Sequence, residues 1–293
     1  MVHVGILGLG AIGHLIAAQL WEKSGLHLHF YNRTERRYLR FKNHLSQLLD
    51  TPINCQTTPA PQRLDWLFIC LKTYHYPDAA VWFQHLIGSH TRIAVLRNGL
   101  AHSTPLLDYT DQSKILPILV DGPTQYNSQG GYYHQLASAR LIVLKHPLSS
   151  ALQSLLNKSH LQIQIAEDFI TASWAKLIES AAIGAISCLT GETCHIFQQQ
   201  AVQQLYKQLL EEGIAVAEAD GAQLPNDYLS IILQKLAGYP PEKGSSMLTD
   251  RLAGRPIEVM AKSGIISQKG KELGVSTPLH DNYTVLLQQI NRQ

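Results

Sequence analysis

A chain of 293 residues, 45% hydrophobic and 16% charged, buries a substantial core and is long for one compact unit, so two domains are expected. A formal net charge of +2 leaves no basic excess for nucleic acid or an anionic membrane surface, and a small-molecule partner is expected instead. Cys55, Cys70, Cys188 and Cys194 form no CxxC pair and no zinc-type spacing with histidine, so the expectation is reduced thiols in a cytoplasmic protein, with no disulfide framework and no metal.

The chain enters directly into a strand-like "HVGILGL" without a charged leader. No stretch is read as approaching the ~20 apolar residues of a membrane span. Up to about residue 95, β-type and helical runs alternate: "HVGILGL" then Ala11 to Lys23, "LHLHFY" then Glu35 to Leu49, "DWLFICL" then Tyr76 to Leu86, and finally "RIAVL". That alternation predicts a parallel sheet with crossover helices. "KILPILVD" and "ARLIVL" read as further strands around a turn-rich "QYNSQGGYYHQ", so the sheet is expected to end in an antiparallel part and its domain to close at residue 166. From residue 167 onward helical periodicity takes over, at Phe169 to Leu189, Phe197 to Glu218, Asp227 to Leu236, Ile257 to Leu273 and Leu279 to Ile290. The interruption "AGYPPEKGSS" reads as a loop facing a cleft between the domains.

The first turn is "GLGAIG", with Gly8, Gly10 and Gly13 at GxGxxG spacing between a strand-like and a helical run. In that context Gly8 permits the tight turn, Gly10 lets a pyrophosphate approach the backbone, and Gly13 lets the helix pack on the strand. Leu9, Ala11 and Ile12 complete a loop whose N–H groups face phosphate at a helix N-terminus. The second strand ends in "HFYNRTERR", where an NAD site would place an acid for the ribose hydroxyls. Asn32 and Arg33 stand there instead, with Arg36 and Arg37 beyond, and donors with positive charge suit a 2′-phosphate, so NADP is expected. Lys72, after the third strand-like run, is read either as a phosphate contact or as a surface lysine. Asn98 and Gly99, after the fourth, are read as at least a turn pair.

In "DFITASWAKLIESAAIGAISCLTGE" the polar and small residues Ser173, Lys176, Ser180, Gly184 and Ser187 fall at spacings of three and four, which lines them on one helix face. A lysine there is either a proton-transfer group or the partner of Glu179 in a surface pair. In "RPIEVMAKSG", Pro256 suits a first helical turn and Glu258 its positive end, an ordinary stabilising arrangement. His102 and His195 are assigned no role.

Together the glycine loop, "LK" ending at Lys72, "NG" at 98 and 99, "WAKL" at 174 to 177, "SSMLTDRLAGRPIE" at 245 to 258 and "SG" at 263 and 264 resemble the ketopantoate reductases, which use NADPH to reduce 2-dehydropantoate to pantoate on the route to pantothenate and coenzyme A. The resemblance implies an α/β fold in which a Rossmann-like NADP-binding domain, residues 1 to 166, precedes an all-helical substrate and dimerisation domain, residues 167 to 293. It implies that Lys176 donates the proton, that Glu258 holds the substrate hydroxyl, that Asn98 lies beside nicotinamide and substrate, and that Ser246 contacts the substrate carboxylate. Ser180 and Gly184 stand where that family usually carries asparagines, and Lys243 precedes the paired serines. A related 2-oxo acid or opine-type reductase, or an NADP-binding regulatory protein without turnover, are the competing readings, and a homodimer is compatible with the apolar helical half.

Overall fold

The computed structural model describes residues 1–291 and divides into two compact units, Met1–Phe169 and Ile170–Gln293. In the first unit, β1 (Val2–Leu7) leads into α1 (Ala11–Trp21) and β2 (Leu26–Tyr31). There follow β3 (Tyr38–Lys42), β4 (Leu48–Pro52), β5 (Cys55–Gln56), β6 (Trp66–Ile69), α2 (Ala80–Leu86) and β7 (Arg92–Leu96). The unit is completed by β8 (Ile115–Asp121), β9 (Thr124–Asn127), β10 (Tyr132–Gln135), β11 (Ala139–Leu144), α3 (Ser149–Leu155) and β12 (Leu161–Ala166).

Eight strands form one sheet in the order β12-β11-β8-β7-β6-β1-β2-β5, parallel throughout except where β11 runs antiparallel to β8. Its central strands are apolar on both faces because both are covered. Val4, Ile6, Phe68, Ala94, Leu116 and Ile118 pack with Leu15, Ile16 and Leu20 of α1 on one side. Leu7, Leu67, Ile69, Ile93 and Val95 pack with Trp82, Phe83 and Leu86 of α2 on the other. Continuous apolar runs are what a parallel strand needs in that setting.

A second sheet, β4-β3-β10-β9, replaces the helix expected at Glu35 to Leu49. The period there is two, not 3.6: Leu39 and Phe41 are buried between the exposed or half-buried Tyr38, Arg40 and Lys42, and Arg40 meets Asp50 across the strands at 3.0 Å. Asn43 turns the hairpin, its Oδ1 accepting the Leu45 and Gln47 N–H groups, and Ser46 sits at φ 65°. The helix expected from Tyr76 is shorter, since a 3-10 turn (Thr73–His75) precedes α2.

The second unit is helical: α4 (Phe169–Thr190), α5 (Gln200–Ala219), α6 (Tyr228–Ala237), α7 (Ser246–Leu252), α8 (Ile265–Leu273) and α9 (Pro278–Ile290). By length and composition α4, with 22 residues, meets the requirement for a membrane span, contrary to the sequence expectation; it is mostly buried, as the central helix of a globular core is. Its Trp174 Nε1 donates to Asp220 at 2.9 Å, and Tyr228 donates to the Ala175 carbonyl at 2.6 Å. The helix expected from Ile257 does not start there. Residues 255–258 are non-helical, and a π turn, Met260–Gly264, with Lys262 at φ −120° and ψ −107°, precedes α8.

Candidate active site

In the first unit the expected cofactor residues come together at the carboxyl edge of the sheet, where open parallel sheets bind ligands. Gly8 leaves β1 at φ +95°, and a Cβ on it would stand 2.8 Å from the Leu71 side chain. A Cβ on Gly13 would lie 1.9 Å from the Gly8 carbonyl oxygen, whereas one on Gly10 would meet nothing within 4 Å among the described residues. Gly8 and Gly13 therefore shape the loop, and Gly10 faces open space. Gly10 is the N-cap of α1 and no side chain caps the helix among the described residues, so the N–H groups running from Ala11 and Ile12 suit a phosphate. Leu9 is buried and donates its N–H to Asn32 Oδ1 at 3.1 Å.

Asn32 closes β2, and its Nδ2 donates to the Thr34 carbonyl at 2.8 Å and hydroxyl at 3.0 Å. The side chain thus ties the glycine loop to the strand tip. Beside it Arg33 is 72% exposed and only 3.6 Å from Asp78, a loose pair that leaves the guanidinium able to swing to a phosphate. Arg37 is engaged by Glu35 at 3.0 Å. Lys72 is half-buried and starts the 3-10 turn after β6. On the neighbouring strand Asn98 follows β7, and its Oδ1 is buried without a hydrogen-bond partner among the described residues. Such an orphaned acceptor is an unusual thing to leave in a folded chain and fits the amide or hydroxyl of a bound dinucleotide. Gly99 at φ +99° turns the chain there.

Two buried histidines of this unit are neutral, one of them beside the glycine loop. His14 donates Nδ1–H to the Gly10 carbonyl at 2.9 Å, and burial pulls its pKa down to about 4. His102 bonds the Arg97 carbonyl at 2.8 Å, and burial lowers it likewise to about 4.

In the second unit the polar face of α4 is real but differentiated. Ser173 and Ser187 are buried, while Lys176 and Ser180 are half-buried. Glu179 is committed elsewhere: its carboxylate takes Lys235 at 2.6 Å and the Tyr239 hydroxyl. Gly184 serves packing, since a Cβ would stand 2.8 Å from Met247 Sδ of α7. Ser187 and Ser245 share a hydrogen bond of 2.7 Å, and Ser245 caps α7 by accepting the Leu248 N–H at 3.0 Å. Ser246 is left exposed at the first position of α7, and the Lys243 ammonium lies 2.9 Å from the Tyr239 ring centre.

Glu258 is half-buried on the non-helical stretch and stands two residues before the π turn, so it precedes that helical turn and is not part of a first helical turn begun at Pro256. Its neighbours fix it. Ile257 and Val259 are buried, and the Asn291 amide accepts the Ile257 N–H at 2.7 Å and donates to the Ile257 carbonyl at 3.0 Å. Sequence reasoning missed Lys262, which is buried and donates to Ser180 Oγ at 2.6 Å. The signal was one charged residue inside the apolar run "VMAKSGII".

A family model described as "Ketopantoate reductase PanE/ApbA" matches residues 4–145, and its C-terminal counterpart matches residues 168–291. The chain is 28% identical over 287 residues to a 2-dehydropantoate 2-reductase of Caulobacter vibrioides, with 98% of each chain covered. Among solved structures, a dimeric ketopantoate reductase from Staphylococcus aureus superposes with a TM-score of 0.87 at 23% identity, covering 99% of both chains. A D-mandelate dehydrogenase solved with NADH and anilino(oxo)acetate also reaches 0.87, at 18% identity and covering 99% of this chain and 98% of that one.

Proposed function

The chain belongs to the ketopantoate reductase family, and from that premise we propose that it reduces 2-dehydropantoate to pantoate with NADPH, the reductive step that leads to pantothenate and coenzyme A. The observation that carries the proposal is the survival of Lys176 and Glu258 in a chain that the family matches in both halves. When bound, the dinucleotide supplies the hydride. The chain's own residues do the rest: Gly10 and the start of α1 hold the pyrophosphate, Arg33 reads the 2′-phosphate, Lys72 steadies the phosphates, and Asn98 orients the nicotinamide end.

As negative charge develops on the substrate's carbonyl oxygen, the Lys176 ammonium stabilises it and then donates its proton. Glu258 accepts a hydrogen bond from the substrate hydroxyl, and Ser246 meets the carboxylate, with Ser180 beside Lys176 on the same face of α4. The protein acts as a homodimer in the cytoplasm, a setting in which its four free thiols stay reduced.

NADPH oxidation by the purified protein tests this, with ketopantoate set beside a panel of 2-oxo acids that lack its hydroxyl. Turnover selective for ketopantoate supports the proposal. A second reading, reduction of a different 2-oxo acid, rests on Ser180 and on Gly184, which brings no side chain to the substrate and whose place is packed by Met247; turnover of panel members with none of ketopantoate supports it instead.

A further inference from the structure

Lys262 is 5% exposed, and a buried ammonium is expensive unless it has acceptors and a task. Its backbone lies in the π turn Met260–Gly264, outside helical angles. The Gly264 N–H reaches back five residues to the Val259 carbonyl at 3.0 Å, the wider turn that often marks a functional position in a helix. This turn directs the Lys262 ammonium to α4, where it donates to the Ser180 hydroxyl at 2.6 Å. Ser180 already donates to the Leu177 carbonyl at 3.2 Å, so the serine receives the lysine as an acceptor and orients it.

Lys176 stands on the same face of α4 four residues earlier, one helical turn away. Two lysines are therefore brought to one patch of the second unit, and Glu258 lies four residues before Lys262. A site whose proton donor is itself cationic gains from a separate cation for the substrate carboxylate, because Lys176 is then left to the carbonyl oxygen.

We propose that Lys262 is a substrate-binding residue: its ammonium, oriented by Ser180, pairs with the substrate carboxylate alongside Ser246 and makes this chain selective for 2-oxo acids over their neutral analogues. The inference rests on the proposed reduction of a 2-oxo acid, and the bland alternative is a structural tie between the π turn and α4.

The experiment compares the wild-type protein with Lys262→Met, which keeps the length and removes the charge, and Lys262→Arg, which keeps the charge. Initial rates of NADPH oxidation are measured with ketopantoate and with its ethyl ester, together with the NADPH dissociation constant. The expected result for Lys262→Met is a KM for ketopantoate raised roughly 10- to 100-fold, as for loss of a hydrogen bond to a charged group. Its KM for the ester and its NADPH affinity should stay within about threefold of wild type, with partial recovery in Lys262→Arg. An unchanged KM for the acid, or equal losses on acid and ester, overturns the proposal in favour of the structural tie.

A wild-type protein inactive on ketopantoate overturns the functional reading instead. Calorimetric titration of the NADPH-loaded protein with the 2-oxo acid panel then decides Lys262 by itself. The proposal requires any acid bound by wild type to bind Lys262→Met at least tenfold more weakly; equal binding, or no binding to either protein, overturns it.

Discussion

Alanine at Gly10 and at Gly13 separates the two jobs of the glycine loop. A Cβ at Gly13 would stand 1.9 Å from the Gly8 carbonyl oxygen, far inside a carbon–oxygen contact, and neither side can give easily, since Gly13 lies in α1 and the Gly8 N–H is tied to the Tyr31 carbonyl at 2.9 Å. Relief requires the helix to move off the strand by more than an ångström, an overpacking of about 2–4 kcal/mol. At 2–4 °C per kcal/mol for a unit of this size, Gly13→Ala should lower the midpoint by roughly 4–16 °C. Gly10 sits at φ −88° and ψ −159°, where alanine is allowed, and its Cβ would meet nothing within 4 Å among the described residues. Gly10→Ala should leave the midpoint unchanged or raise it by roughly 1–4 °C, the equivalent of the ~0.4–1 kcal/mol gained through the unfolded chain. The methyl would nonetheless occupy the approach of the pyrophosphate, so NADPH should bind at least about tenfold more weakly, or ~1.4 kcal/mol. Differential scanning fluorimetry and fluorescence titration with NADPH read the two effects. Wild-type NADPH affinity in Gly10→Ala would refute a phosphate site over this loop, and a wild-type midpoint in Gly13→Ala would refute the packing.

Lys176→Ala should lower turnover by at least about 10²-fold with unchanged NADPH affinity; near-normal turnover returns Lys176 to a surface role. Arg33→Ala should weaken NADPH binding at least about tenfold and leave NADH binding nearly unaltered, and equal losses on the two would remove Arg33 from the 2′-phosphate. Burial holds His14, His102 and His280 at about 4, below the ~6.5 of the unfolded chain, so below that pH the unfolded state binds more protons. Stability is therefore full above pH 6.5 and falls toward pH 4, with each histidine responsible for a loss of roughly 2 kcal/mol by pH 5; urea midpoints equal at pH 7 and pH 5 would contradict this.

The strongly periodic elements were legible. "VGIL", "WLFI" and "RIAVL" are continuous apolar runs because both faces of the sheet are covered, and α4 is helical throughout the stretch that carries the three- and four-residue spacing, although residues 181–188 are buried on every side. The hairpin β3–β4 was not legible, because "RRYLRFKNHLSQLL" carries enough leucines to imitate a helical stripe while the turn signal is divided between Asn43 and Ser46. On the site, the glycine loop could be read because Gly8 and Gly13 answer local steric demands and Gly10 completes their spacing. Lys262 could not, since its burial depends on a π turn that brings it to Ser180, and neither partner announces the other from 82 positions away.

The most specific stretch of the sequence, "SSMLTDRLAGRPIE", turns out to be largely mechanical. Ser245 caps α7 and bonds Ser187 of α4. Met247 fills the hollow that Gly184 leaves. Arg251 donates to the Cys188 and Leu189 carbonyls, which lie in the last turn of α4 and lack partners within the helix. Buried Asp250 holds Arg255 at 3.0 Å across the turn at Gly254, whose φ is +62°. Each contact fastens α7 or the stretch after it to α4 or to itself, and Asn291 then clamps Ile257 on the far side. The sum of these constraints fixes Glu258 and the π turn against the helix that carries Lys176. For the proposed reaction this matters, because a proton donor on α4 and a hydrogen-bonding carboxylate before the π turn would be useful only at a fixed separation, which half an ångström of slack would degrade. On that proposal the reaction needs only a few side chains, and this stretch of the sequence serves to hold two of the elements that carry them together.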